Sequence, residues 1–194
     1  MRHFPVFLEL QDRACLVVGT TEEAHRKAQM LREARAAVTA VDDGAAIPAG
    51  AYALAVVATG DLGQDTAIAK QLKPLVALIN VVDRPSLCSF IWPAIVERGP
   101  VTVAVSTGGT SPTLAALVRQ RIERAVPAAV GDLARLAGRL RRVVAATLPG
   151  VAERRRFWRR ALEGRSAALA FAGDSVRAKA ALRDEARALL RSNR

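Results

Sequence analysis

Apolar residues fall into short unbroken runs over the first half of the chain and into helical stripes over the second. Ala14–Val18 (ACLVV), Ala37–Val41 (AVTAV), Tyr52–Thr59 (YALAVVAT) and Leu75–Asn80 (LVALIN) lack the alternation of a half-exposed strand, so each predicts a strand buried on both faces. Ala24, Ala28, Leu31 and Ala34 recur at helical spacing and predict a helix over 22–35; a second helical stretch runs from about Asp61 to Lys73. Strands interleaved with helices predict a parallel sheet covered on both sides. Val101–Val105 (VTVAV) adds another strand, and Phe90–Trp92 a shorter one.

From Ser111 onward the pattern is helical. Ser111-Pro112 opens a helix with proline in its first turn, and Leu114, Leu117, Val118 and Ile122 make its buried stripe. Pro127 and Pro149 bound further helices over 130–146 and 151–162, and a last helix runs from about Ser175 to Leu190. The predicted fold class is therefore α/β, a Rossmann-like domain over 1–110 followed by an α-helical half.

Charge sharpens this division. Residues 1–100 carry 10 Lys/Arg against 11 Asp/Glu, while residues 101–194 carry 19 against 7, so the net charge of +11 belongs to the helical half. An anionic partner is implied, whether nucleic acid, a membrane surface or a small molecule with several carboxylates or phosphates; the plain alternative is a solvated basic face. Nucleic acid is disfavoured, because neither an aromatic stacking platform nor a helix-turn-helix is recognisable. No apolar run approaches the roughly 20 residues of a membrane span, and MRHFPVFLELQDR lacks a signal-peptide pattern, so the expectation is a cytoplasmic protein with no membrane partner. Cys15 and Cys88 are far apart and only His3 and His25 are present, which predicts neither a disulfide framework nor a resident metal site.

A strand that ends in glycine and feeds a helix sets backbone N–H groups and the helix dipole against a pyrophosphate. Gly19, Thr20, Thr21, Glu22 and Glu23 occupy that junction, and Asp42 or Asp43 stands about 20 residues on, where an acid reaches the adenosine ribose. These residues are the candidate cofactor site. The alternative is that Gly19 only makes the turn and the acids only cap the strand end.

Several stretches in order resemble the precorrin-2 dehydrogenase/sirohydrochlorin ferrochelatase family, which also forms the N-terminal module of siroheme synthase. They are Pro5–Phe7 to Val18–Gly19, His25–Ala28 (HRKA), Asn80–Asp83 (NVVD) with Pro85, Ser89–Ala94 (SFIWPA), Val105–Pro112 (VSTGGTSP) and Glu153–Trp158 (ERRRFW). The resemblance implies an NAD-binding domain over 1–110, a helical dimerisation region over 111–148 that builds a homodimer, a C-terminal helical domain over 149–194, and an active site in the cleft between the Rossmann domain and the middle helices. It implies oxidation of precorrin-2 to sirohydrochlorin with NAD as hydride acceptor, then insertion of ferrous ion, a substrate, to give siroheme. Asp83 would be the catalytic carboxylate in both steps, as general base or transient metal contact. Ser106, Thr107, Gly108, Gly109, Thr110 and Ser111 would form the substrate-binding loop, and the arginines would pair the tetrapyrrole carboxylates. A separate uroporphyrinogen methyltransferase would act upstream.

Two departures from the family pattern bear on NAD. The family has three glycines where this chain has Gly19, Thr20 and Thr21, so a β-branched side chain stands where the backbone approaches the phosphates, and binding is expected to be weakened; restoring glycine at both positions should tighten it. A helix and a strand are missing after the second strand, where only Asp42 to Ala51 remains, short of the roughly 10–12 residues of a helical crossover. The sheet is therefore expected to be truncated, with the second strand at its edge. The alternative function is a chelatase or catalytically silent tetrapyrrole-binding relative whose NAD site has decayed.

Overall fold

A computed structural model describes residues 3–192. The chain divides into two compact units, one running through Trp92 and including Gly108–Thr110, the other formed by Pro93–Thr107 and the residues from Ser111 onward.

The first unit is a four-stranded sheet with β1 (Ala14–Val18), β2 (Ala37–Val41), β3 (Leu54–Val57) and β4 (Ile79–Val81), all parallel, in the order β2-β1-β3-β4. Successive side chains of a strand point to opposite faces, and here both faces are dry. Cys15, Val17, Leu54 and Val56 pack with Ala24, Ala28 and Leu31 of α1 (Glu22–Glu33). Leu16, Val18, Ala55 and Val57 pack with Ala69 and Leu72 of α2 (Leu62–Leu72) on the other side. That is why the runs of β1 and β3 carry no alternation; Ala37–Val41, expected to be buried on both faces, has no fully buried residue, because β2 lies at the sheet edge. The truncated sheet is as expected: β2 lies at the edge, and residues 42–53 carry the chain past β1 to β3 without a helix.

Two readings of this unit are corrected. The strand predicted over Leu75–Asn80 forms at Ile79–Val81, because Leu75 and Val76 still donate their backbone N–H groups to Leu72 and finish the turn after α2. Phe90–Trp92 is not a strand; it is strapped to β4 by the side chain of Asn80, which donates to the Phe90 carbonyl.

In the second unit, β5 (Ala94–Arg98) and β6 (Val101–Val105) form an antiparallel hairpin. Val101–Val105 is thus a strand, but not one of the parallel sheet, because Gly99 at φ 62° and Pro100 turn the chain straight back. Helices α3 (Pro112–Ala125), α4 (Ala128–Thr147), α5 (Val151–Glu163), α6 (Arg165–Phe171) and α7 (Ser175–Ser192) complete the unit. Gly164 separates α5 from α6, a short helix the sequence pattern did not predict. Leu133, Leu136, Phe157, Ala170 and Leu182 are among the residues of the core that these helices enclose. Arg98 closes the end of α3, donating from Nε to Val126 O at 2.9 Å and from Nη2 to Glu123 O at 3.1 Å. Of the stripe predicted to be buried on α3, Leu114, Leu117 and Val118 are open in the single chain and Ile122 is half-buried. Leu114 and Leu117 are half exposed, at 51% and 53%, and the buried residue there is Ala115.

Candidate functional site

At the C-terminal edge of the sheet, β1 ends at Gly19 with φ 131°, and a Cβ there would lie 2.2 Å from the carbonyl oxygen of Ala58. Only glycine lets the loop pass so close to the end of β3. Thr20 donates its backbone N–H to Asp43 Oδ1 at 3.0 Å and its hydroxyl to Asp43 Oδ2 at 3.1 Å. Thr21 is the N-cap of α1: its hydroxyl accepts from the Ala24 N–H at 3.2 Å and donates to the Ala58 carbonyl at 2.7 Å. Both threonines at glycine positions thus have their hydroxyls bonded to the protein.

The other candidate residues of this edge are placed less uniformly. Asp42 is exposed, and its carbonyl closes a turn with the Ala45 N–H. Glu22 is exposed on the first turn of α1, where a carboxylate complements the helix dipole. Glu23 is taken up by a two-pronged pair with Arg26, at 3.0 and 2.7 Å, which holds its carboxyl below the usual range. Gly19, Thr20, Thr21 and Asp43 come together; Glu23 is committed elsewhere.

Asp83 comes just after β4 at φ 58°, the left-handed region that Asp tolerates better than most residues. It is exposed, while the Val82 N–H bonded to Val57 O at 2.9 Å and the Arg84 N–H bonded to Val81 O at 3.2 Å fix the chain on either side. The residues after it strap the chain back onto β4. Cys88 Sγ accepts from the Val81 N–H at 3.2 Å, and burial pushes its thiol pKa up. The Ser89 hydroxyl accepts from Ile79 N at 2.8 Å and donates to Ala77 O at 2.7 Å. Buried Asn80 donates to Phe90 O at 3.2 Å.

This strapping delivers Trp92 to α1. The ammonium of Lys27 lies 4.1 Å from the centroid of the Trp92 ring, and Lys27 is only 6% exposed. Three separate sequence stretches, His25–Ala28, Asn80–Asp83 and Ser89–Trp92, are therefore tied together in the first unit. Lys27 was not among the candidate residues. Its signal was present in the pattern, for Ala24, Lys27, Ala28 and Leu31 stand at i, i+3, i+4 and i+7, so a lysine occupies the sheet-facing stripe.

In the candidate loop 106–111, Thr107 Oγ1 donates to Ser111 O at 3.0 Å and accepts from Ser111 N at 3.2 Å. Gly108 and Gly109, at φ 67° and 85°, make the turn, with Ser106 and Thr110 exposed beside them. Ser111 then caps α3, accepting from Leu114 N at 3.2 Å. Within the second unit, Arg141, Arg154 and Arg155 line a groove of about 770 Å³ together with Trp158, Leu162 and Phe171. Arg154 is already engaged by the carbonyls of Leu148 and Pro149, at 2.9 and 2.5 Å.

Three family models match in succession: "Putative NAD(P)-binding" over residues 6–94, "Sirohaem biosynthesis protein central" over 98–125 and "Sirohaem synthase dimerisation region" over 129–186. The siroheme synthase of Methylococcus capsulatus is 40% identical over 215 residues, covering 100% of this chain and 45% of that protein. That of Thioalkalivibrio sulfidiphilus is 43% identical over 185 residues, covering 84% of this chain and 38% of its own. The chain thus spans less than half the length of these relatives. A solved structure, "SirC, precorrin-2 dehydrogenase", superposes with a TM-score of 0.65 over 98% of both chains at 19% identity, which establishes likeness of fold.

Proposed function

The chain belongs to the precorrin-2 dehydrogenase/sirohydrochlorin ferrochelatase family that supplies the N-terminal module of siroheme synthase, and from that premise we propose that it oxidises precorrin-2 to sirohydrochlorin with NAD and then inserts ferrous ion to give siroheme. The observation that carries this reading is the edge of the parallel sheet, where the Gly19 loop, Asp43 and the exposed carboxylate of Asp83 all lie just past strand C-termini. Open α/β sheets bind their ligands at that edge.

The residues fit a dinucleotide. Gly19 keeps the loop flat against Ala58, and the hydroxyl of Thr21 is bonded to that carbonyl and to the helix N-terminus. In this reading the loop and α1 receive the pyrophosphate, and Asp43, held by Thr20, receives the ribose hydroxyls. NAD, when bound, supplies the acceptor for the hydride that leaves precorrin-2. Asp83 accepts the proton that leaves with it, so two electrons and two hydrogens are accounted for. In the second reaction the same carboxylate takes up the two displaced pyrrole N–H protons in turn, releasing each to solvent, as the ferrous ion, a substrate, replaces them.

The basic second half pairs the substrate carboxylates through its arginines, and the Ser106–Ser111 loop contributes hydroxyl and backbone donors. The open stripe of Leu114, Leu117 and Val118 on α3 supports a homodimer as the working form. Incubating the protein with precorrin-2, NAD and ferrous ion while recording absorption spectra tests the reading. It predicts the spectrum of sirohydrochlorin with NAD alone and of siroheme once iron is added; an unchanged precorrin-2 spectrum in the presence of NAD would rule the dehydrogenase out.

A further inference from the structure

A polycarboxylate that approaches the sheet edge meets mostly negative charge. The segments that follow the four parallel strands, residues 19–21, 42–53, 58–61 and 82–92, carry Asp42, Asp43, Asp61 and Asp83 and a single basic residue, Arg84. Two of the acids are engaged elsewhere: Asp43 accepts both donors of Thr20, and Asp61 caps α2, accepting from the Gln64 N–H at 2.8 Å.

Arg84 is half-buried, and it is neither a solvated surface arginine nor a structural ion pair. Its Nε is buried without an acceptor, its Nη1 reaches only the Asp83 carbonyl at 3.5 Å, the outer limit of a hydrogen bond, and no carboxylate among the described residues pairs with it. A buried N–H left unbonded is costly, so folding alone gives no reason for a guanidinium in this place. Its backbone is nevertheless fixed. The Arg84 N–H donates to Val81 O at 3.2 Å, and its carbonyl accepts from the Leu87 N–H at 3.0 Å and the Cys88 thiol at 3.3 Å. An anchored turn thus presents an arginine with unmet donors, next in sequence to the exposed carboxylate of Asp83.

We propose that Arg84 is a substrate-binding residue: its guanidinium takes one acetate or propionate carboxylate of the tetrapyrrole and so sets the macrocycle beside Asp83. This rests on the tetrapyrrole reading of the site. The planar fork of arginine matches a carboxylate, and the ligand oxygens supply acceptors to donors that the protein leaves unmet.

The test is equilibrium binding of sirohydrochlorin to the full chain, followed by absorption without NAD or iron, in wild type, Arg84→Met and Arg84→Lys. Loss of charge-assisted bonds should raise Kd about 10- to 100-fold in Arg84→Met. Arg84→Lys, which keeps the charge without the fork, should fall between. KM for precorrin-2 should rise in parallel while kcat changes by less than about threefold, the pattern of lost uniform binding. Without ligand, Arg84→Met should melt no lower than wild type, since it removes an unsatisfied donor. An unchanged sirohydrochlorin Kd in Arg84→Met overturns the proposal, as does a loss of kcat without a change in Kd. A lower melting temperature with unchanged Kd also overturns it and assigns the arginine to the fold. If wild type oxidises no precorrin-2, the same difference in Kd still supports the Arg84 contact while the dehydrogenase reading falls; if wild type binds no sirohydrochlorin, both fall.

Discussion

Asp43 accepts both donors of Thr20, the backbone N–H and the hydroxyl, on its two carboxylate oxygens. The acid at the end of β2 is thereby pinned to the loop at the end of β1. Thr20, at one of the family's glycine positions, thus fixes an acid expected to face the ribose. Against the tightening expected from sequence, these bonds predict that Thr20→Gly with Thr21→Gly should loosen NAD, on the order of tenfold, as roughly one hydrogen bond's worth of organisation is lost at each position. Calorimetric titration with NAD checks this, and tighter binding would show that the side chains do obstruct the phosphates.

Asp83→Asn should lower both reactions by about 10²–10⁴-fold, the usual contribution of a general base. Asparagine is also at home at φ 58°, and the carboxylate is exposed, so the melting temperature should stay within about 2 °C. The two activities, measured on protein confirmed to bind tetrapyrrole, decide the matter. Loss of one reaction alone would show that they do not share this carboxylate.

The stability of the protein should carry the signature of Lys27. Its folded pKa of about 8 lies below the ordinary lysine value of 10.5. Between these values the unfolded chain holds a proton that the folded chain has released, so this residue makes stability rise with pH across that window. Below about 8 the full cost of the buried charge is present, on the order of 2–3 kcal/mol. Lys27→Met should accordingly be more stable than wild type in urea at pH 7, and the gap should narrow as pH approaches 10. The facing charges are Glu23 and Arg26 on α1 and Asp83 after β4. A gap that does not change with pH would show that the ammonium is not desolvated.

Leu117→Asp should turn a homodimer into a monomer in sedimentation at micromolar concentration. Leu117 is 53% exposed on a helix whose neighbouring apolar residues are also open, so the substitution should leave the fold of the single chain intact. A dimer that persists would place the contact on another surface.

The alternation-free runs and the glycine that closes β1 were enough to read a parallel sheet, because burial of the central strands is a local constraint; that the sheet is truncated came from the resemblance, whose family has a helix and a strand where only a short link follows β2 here. The strand read over Leu75–Asn80 began four residues too early, since an apolar stretch that finishes a helix and then enters a strand shows no break in hydrophobicity. Val101–Val105 was correctly a strand but assigned to the wrong sheet; which strand it pairs with depends on the Gly99-Pro100 turn and not on its own residues. Lys27 stood in the apolar stripe of α1 in plain view. What made it meaningful was Trp92, 65 residues further on, brought to it by side chains of Asn80 and Ser89 that bond across the end of the sheet. Periodicity reports which face of an element is buried, and that much the chain determines by itself. Which charged group meets which aromatic face, and whether a threonine hydroxyl points at a phosphate or at a neighbouring carbonyl, is decided only when distant segments share one interior.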